Sequence, residues 1–241
     1  AKKNIKECNP DAIILIDYPG FNLKIAEYAK KLNIPVFWFI APQVWAWKKN
    51  RIIKMHKYID KLFVALPFEL EYFRKSQIKT FYFGHPMIDI LSNMQKLGFR
   101  EKLGKPIIVL LPGSRKQEIK KILPIMLKAS VSFYQYRFVI ICAQNIKRLF
   151  YEELSIGYGV ELQFDKDILH SASAALVTSG TATLELAILN IPQVVCYKLN
   201  PISFIFAKIF TRIKYISLVN ILAKQEVVEE LIQNDCNVKN G

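Results

Sequence analysis

Long apolar runs, paired cysteines and acidic residues are all scarce in this 241-residue chain, and each scarcity excludes a class of protein. No apolar stretch approaches the roughly 20 residues that a membrane-crossing helix requires. The longest, residues 202–207, is broken by Lys208. Cys8, Cys142, Cys196 and Cys236 lie far apart, with no CxxC pair and no histidine at metal-ligand spacing. That spacing indicates neither a zinc site nor a disulfide framework, so isolated, reduced cysteines in a cytosolic protein are expected. Ala1-Lys2-Lys3-Asn4 leads into a polar stretch, unlike the apolar segment of a secretory signal. Acidic residues number 20 against 34 Lys and Arg, a formal net charge of +14. Such a balance calls for an acidic partner: nucleic acid, anionic lipid or a phosphorylated substrate.

What is present is ordinary globular composition, 52% hydrophobic and 22% charged, long enough for one large or two medium domains. Short apolar runs rich in β-branched residues alternate with amphipathic segments. Strands are expected at 12–16, 36–40, 61–66 and 80–83, with helices at about 21–32 and ending near Lys75. The polar stretch 92–105 lacks a strand and reads as an interdomain junction. The pattern then restarts, with strands at 106–111, 138–142, 160–164, 174–177 and 193–197. Helices are expected at 117–130, near Ile146 and at 181–189. Continuous apolar strands separated by helices indicate parallel sheets covered on both faces. The expected fold is α/β, with two Rossmann-like domains at 1–104 and 105–241, resembling the GT-B architecture that holds a nucleotide-sugar between its domains. The chain opens on a helix tail and closes after a helix, so both termini are expected to be missing, with the first domain the less complete.

Two segments carry the chemistry. Leu110-Leu111-Pro112-Gly113-Ser114-Arg115 is a strand, a tight turn and a helix start. Gly113 permits the turn, free helix N–H groups suit an anion, and Arg115 adds a planar fork of donors matched to a diphosphate. Alone, the segment is equally a capped helix with an exposed arginine. The second segment, Leu176-Val177-Thr178-Ser179-Gly180-Thr181-Ala182-Thr183-Leu184-Glu185, repeats the strand–turn–helix pattern. Its backbone amides and the Ser179 and Thr181 hydroxyls suit phosphate oxygens. Glu185, one helical turn beyond Thr181, suits ribose hydroxyls. Two such turns in one α/β domain fit a nucleoside diphosphate better than a single phosphate.

With these residues the sequence resembles the lipid-A-disaccharide synthase family. Asp17 with Pro19-Gly20-Phe21-Asn22, Val44-Trp45-Ala46-Trp47, Leu66-Pro67-Phe68-Glu69 and Gly84-His85-Pro86 follow its order and spacing. Pro112-Gly113-Ser114-Arg115, Ser179-Gly180-Thr181-Ala182-Thr183-Leu184-Glu185 and the run from Tyr215 to Ala223 continue it. The tryptophan motif and the Pro112–Arg115 motif in this order are the specific elements. The resemblance implies an inverting glycosyltransferase that joins UDP-2,3-diacylglucosamine to 2,3-diacylglucosamine 1-phosphate through a β-1,6 bond and releases UDP, with no essential metal and no cofactor. It implies Asp17 and Arg115 as catalytic residues. For the UDP-sugar it implies Gly113, Ser114, Arg115, Ser179, Gly180, Thr181, Ala182, Glu185 and Asn220. Gly20 stands where the family has a second Asp, Val219 where it has Pro, and the family's Gly-rich N-terminal loop does not precede Asp17.

Lys48, Lys49, Arg51, Lys54, Lys57 and Lys61 form either a solvated helix face or a surface for anionic lipid. Residues 202–214 interleave aromatics and cations, and with an acylated substrate the reading favours peripheral contact with the cytoplasmic side of the inner membrane. Trp45 and Trp47 read as packing residues, His85 as structural or substrate-contacting, and His56 and His170 as incidental. Competing functions are another UDP-sugar enzyme of GT-B form, such as a peptidoglycan glycosyltransferase or an epimerase, a nucleotide binder without turnover, and a basic nucleic-acid-binding protein. The last has no recognised motif here, and no nucleic-acid partner is expected.

Overall fold

The computed structural model describes residues 1–45, 50–95, 104–198 and 214–237. It forms two compact units, the first Ala1–Pro86 and the second beginning at Met87. In the first unit the order is α1 (Lys2–Cys8), β1 (Ile13–Ile16), α2 (Pro19–Lys31), β2 (Val36–Phe39), α3 (Arg51–Tyr58), β3 (Lys61–Val64), α4 (Pro67–Lys75) and β4 (Thr80–Tyr82). The four strands pair in parallel in the order β1-β2-β3-β4. Leu15, Val36, Trp38, Leu62 and Val64 pack with Ala26, Ala29, Met55 and Phe73 from the helices in one core. Asp60 ties three elements together, accepting from the Val36 backbone N–H at 2.7 Å and from Lys30 at 2.5 Å. Its partial burial opposes ionisation, but these two donors outweigh it and hold the carboxyl below its ordinary range.

The expectation of a sheet covered on both faces is corrected for this unit. A strand order that advances one way through right-handed crossovers puts every connecting helix on the same side. Among the described residues, the other face keeps Ile14 at 67% and Ile16 at 60% exposure, and Phe63, Phe81 and Phe83 stack along it with ring centroids 5.6–6.3 Å apart.

The second unit contains α5 (Pro86–Gln95), β5 (Ile107–Leu111), α6 (Lys116–Ser130), β6 (Arg137–Ile141), α7 (Arg148–Ser155) and β7 (Glu161–Gln163). A 3-10 turn (Asp167–Ser171) leads to β8 (Ala172–Thr178), followed by α8 (Thr181–Ile188), β9 (Gln193–Tyr197), α9 (Leu218–Ala223) and β10 (Glu229–Ile232). The sheet is parallel in the order β10-β9-β8-β5-β6-β7, so the winding reverses between β5 and β8. Both faces are covered here. Ile119, Ile122, Leu123, Met126 and Leu127 of α6 and Tyr151 of α7 pack on one, and Leu186 of α8 with Leu91 of α5 on the other.

Three features differ from the sequence reading. Residues 92–95 are helical and Leu91 is buried in the second unit's core, so α5 goes with that unit although the expected boundary lies at 104/105. Residues 96–103 of the expected junction lie outside the described residues. The edge strand β10 was not expected, because Glu229-Glu230 masks its apolar signal, and the six-residue α9 was not expected either. Cys196 and Cys236 are not isolated: both are buried free thiols in mutual contact, which drives the first thiol up and the second down. Among the described residues no helix is long and apolar enough to cross a membrane.

The one-sided core of the first unit gives a contrast in stability. Phe73→Ala empties a site of 0% exposure and should cost about 3–5 kcal/mol. Phe83→Ser, at 83% exposure, should stay within about 0.5 kcal/mol. Urea unfolding of both variants checks this, and equal costs would contradict the one-sided packing.

Candidate functional site

Strands β5 and β8 lie side by side with Leu111 opposite Val177, so the turns that follow them emerge together at the carboxyl edge of the sheet. This is the reversal point of a doubly wound sheet, where such folds open a ligand crevice. Gly113 turns the first strand out at φ 117°, a left-handed conformation. A Cβ there would stand 2.9 Å from Glu118 Oε2 and 3.3 Å from the Thr178 methyl carbon. The left-handed φ is what favours glycine here, the tight approach of Glu118 and Thr178 adds to it, and the closeness to Thr178 brings the two turns side by side.

At the start of α6 the Glu118 carboxylate reaches back. Ser114 N–H donates to Oε2 at 3.3 Å and Arg115 Nη1 to Oε1 at 2.9 Å. The Arg115 side chain is 79% exposed, so its remaining donors face solvent. Tyr197 at the end of β9 is pushed up by burial and further by the nearby Glu118 charge.

The second turn is arranged differently. Gly180 has an extended φ of 161° and caps α8 with no side chain, and a Cβ would meet nothing within 4 Å. Space therefore remains open in front of the first N–H groups of α8, beside exposed Thr181 and half-buried Ala182. Thr183, fully buried, donates its hydroxyl to the Gly180 carbonyl at 2.8 Å, and Gln193 donates to the Thr183 carbonyl, which fixes the helix start against β9. Glu185 is buried on the second turn of α8, and Lys166 Nζ donates to both its oxygens, at 2.9 and 2.6 Å.

Two expected roles change. Ser179 spends its only hydroxyl proton on the Ile216 carbonyl at 2.9 Å, so for an anion this residue offers its backbone N–H and not its hydroxyl. Asn220 is fully buried, and its amide donates to the Val228 carbonyl and Glu230 Oε1 while accepting from the Val227 and Val228 N–H groups. All four hydrogen-bonding positions are thereby used within the protein. Asn220 is a scaffold residue. With Glu230, which also accepts from the Ile216 and Ser217 N–H groups, it holds the segment that anchors Ser179.

In the first unit, Asp17 and Tyr18 adopt consecutive left-handed conformations, φ 46° and 40°, immediately after β1. Neither is glycine, so the turn is strained. Asn22 offsets that strain, donating its amide to the carbonyls of Ile16 and Asp17 at 2.9 and 2.5 Å, while Pro19 preorganises the first turn of α2. The result leaves Asp17 exposed at the carboxyl edge of its strand. Two further motif segments meet: Trp45 Nε1 donates to Glu69 Oε1 at 2.9 Å and packs edge-on against Phe68 at 5.0 Å. Burial raises the Glu69 carboxyl despite that bond and one from the Leu66 N–H. Burial likewise lowers His85. Ala46, Trp47, Lys48, Lys49 and residues 202–213 lie outside the described residues.

Sequence reasoning missed Glu118, Lys166 and Glu230. Glu118 carried a signal, an acid three residues beyond the helix N-cap Arg115. Lys166 and Glu230 carried none, since each acts on residues ten or more positions away in sequence.

Two parallel-sheet units, the second carrying paired turns at its reversal point, define a chain of GT-B type. Solved structures agree on the fold. A Staphylococcus aureus MnaA–UDP co-structure matches with a TM-score of 0.62 at 14% identity, covering 92% of this chain and 68% of that one. UDP-GlcNAc 2-epimerase from Neisseria meningitidis bound to UDP-GlcNAc matches at 0.59 and 15% identity, covering 99% and 76%. The chain belongs to the lipid-A-disaccharide synthetase family, whose model matches residues 1–241. Lipid-A-disaccharide synthases from Syntrophus aciditrophicus and Persephonella marina are 37% and 38% identical, over 98% and 94% of this chain. The chain spans 65% of the length of each.

The two glycines should respond differently to alanine. Gly113→Ala forces a Cβ into a left-handed, occupied position and should destabilise the chain by about 1–3 kcal/mol. Gly180→Ala enters open space, so its cost should be that of a poorer helix N-cap alone, about 0.5–1 kcal/mol. Thermal unfolding of the two variants checks the contrast; a larger loss at Gly180 would mean that the space before α8 is not open.

Proposed function

We propose that this chain carries the UDP-sugar site and the catalytic base of a lipid-A-disaccharide synthase, joining UDP-2,3-diacylglucosamine to 2,3-diacylglucosamine 1-phosphate. The observation that carries the reading is the pairing of the Gly113–Arg115 and Ser179–Ala182 turns, with buried Glu185 one helical turn further on. In this reading the diphosphate lies across the two turns. It takes the N–H groups at the starts of α6 and α8 and the fork of Arg115, with Gly113, Ser114, Gly180, Thr181 and Ala182 lining the cradle. Glu185 accepts from the ribose hydroxyls. Asn220 acts through the scaffold that anchors Ser179.

The transfer needs a base and a stabilised leaving group. Asp17 takes the proton from the acceptor 6-hydroxyl as its oxygen bonds to the anomeric carbon. On the opposite face the anomeric carbon–diphosphate bond breaks, the electron pair leaves with UDP, and the configuration inverts. Arg115 and the helix N-termini meet the negative charge that develops on the departing diphosphate. The strained turn that exposes Asp17 supports its assignment as the base.

Peripheral attachment to anionic lipid on the cytoplasmic side of the inner membrane is part of the proposal. It is supported by the +14 charge and by Ile53, 73% exposed between the basic residues of α3.

A paired measurement in the full-length enzyme separates the two roles. Arg115→Ala should weaken UDP binding about ten- to a hundredfold, as expected for loss of a charge-assisted contact. Asp17→Asn keeps the size but cannot take the proton, so it should lower sugar transfer by about 10²–10⁴ while leaving UDP affinity within about threefold. Calorimetry with UDP and a disaccharide assay read both. Unchanged binding for Arg115→Ala would remove it from the site, and full turnover by Asp17→Asn would pass the role of base to His85.

A further inference from the structure

Beside the second turn, the Glu185 carboxylate is almost wholly removed from solvent, with a side-chain exposure of 8%. Burying an ionised carboxylate is costly unless a cation and hydrogen bonds compensate it. The compensation comes from a different element. Lys166 stands at the entry to the 3-10 turn after β7, 19 residues earlier in the chain, and its side chain remains 50% exposed. Its single ammonium bridges both carboxylate oxygens, at 2.9 Å from Oε1 and 2.6 Å from Oε2.

A carboxylate offers about four lone-pair positions, two on each oxygen. A bridging ammonium occupies the inward position on each and leaves the outward one on each. These point apart, so a single hydroxyl can take either one. The bridge also fixes the carboxylate rotation about Cγ–Cδ, the last and softest of the three torsions of a glutamate side chain. An alternative in which Lys166 serves the phosphates directly would leave the buried Glu185 without its cation whenever the ligand is bound.

We infer that Lys166 is the positioning residue that sets the preference of this site for ribonucleotides, by holding the Glu185 carboxylate with one free position toward the ribose 2′-hydroxyl. The inference rests on the reading of Glu185 as the ribose partner. It adds a determinant of specificity that does not itself touch the reacting atoms.

The test is calorimetry on the whole chain with UDP and 2′-deoxy-UDP as probes. Wild type should bind UDP about tenfold more tightly than 2′-deoxy-UDP, the scale of one hydrogen bond to a charged acceptor. In Lys166→Ala that ratio should fall below about twofold, through loss of UDP affinity while 2′-deoxy-UDP binding changes little. Lys166→Arg restores a cation that can bridge both oxygens and should keep the ratio above about fivefold. Equal weakening of both probes in Lys166→Ala, or an unchanged ratio, would overturn the positioning role, since a purely structural or phosphate-directed lysine moves both probes together. A wild-type ratio near one would overturn the assignment of Glu185 to ribose, and the inference with it. No UDP binding by wild type would overturn the nucleotide reading from which both descend.

Discussion

The pairing of β5 with β8 is the constraint on which the candidate site depends. These strands are far apart in sequence, and β6 and β7 lie between them along the chain. The sheet winds outward from β5 through β6 and β7, then returns to place β8 on the other side of β5. Leu111 and Val177 come opposite one another, and the two turns beyond them must share the same edge. Gly113 allows the approach, because any side chain there would run into Glu118 and Thr178. With the turns adjacent, the N-termini of α6 and α8 open at one edge, which is the ground for proposing that two linked phosphates bind there.

The remaining polar contacts around the site hold this arrangement in place. Thr183 and Gln193 lock the start of α8 to β9, and the network of Asn220, Glu230 and Ser217 locks the segment that receives the Ser179 hydroxyl. Asn220 uses all its hydrogen-bonding positions within the protein, and the Ser179 hydroxyl is spent on Ile216, so among the donors left for a ligand are backbone N–H groups and Arg115. Exposed Asp17 follows the same principle in the first unit. There Asn22 meets the carbonyls of a strained turn, and the Asp17 carboxylate is left at the strand edge.

Most strands were legible in the sequence because each is a short apolar run closed by Pro, Gly, Asn or Asp, as at Ile13–Ile16 before Asp17 and Pro19. The phosphate-type turns were legible as strand–turn–helix segments, and the family motifs named Asp17, Arg115 and Glu185. β10 was hidden by Glu229 and Glu230, and the helical character of 92–95 by the polar composition that follows buried Leu91. The exposure of one first-unit face among the described residues was not legible, since continuous apolar strands suggest two-sided burial, whereas strand order decides where the connecting helices fall. Asn220 and Ser179 were assigned to the ligand because sequence spacing shows proximity to a turn but not where a hydrogen bond is spent. Lys166 was invisible for the converse reason: its partner is local only in space.

The central claim is that the two turns form one nucleotide site, and amide hydrogen exchange with and without UDP tests it most directly. The account predicts that UDP slows exchange in both 113–118 and 179–183, in the same titration and at the same UDP concentration, while amides of β1 and β2 in the first unit exchange unchanged. Protection of one turn without the other, or protection confined to the first unit, would contradict it.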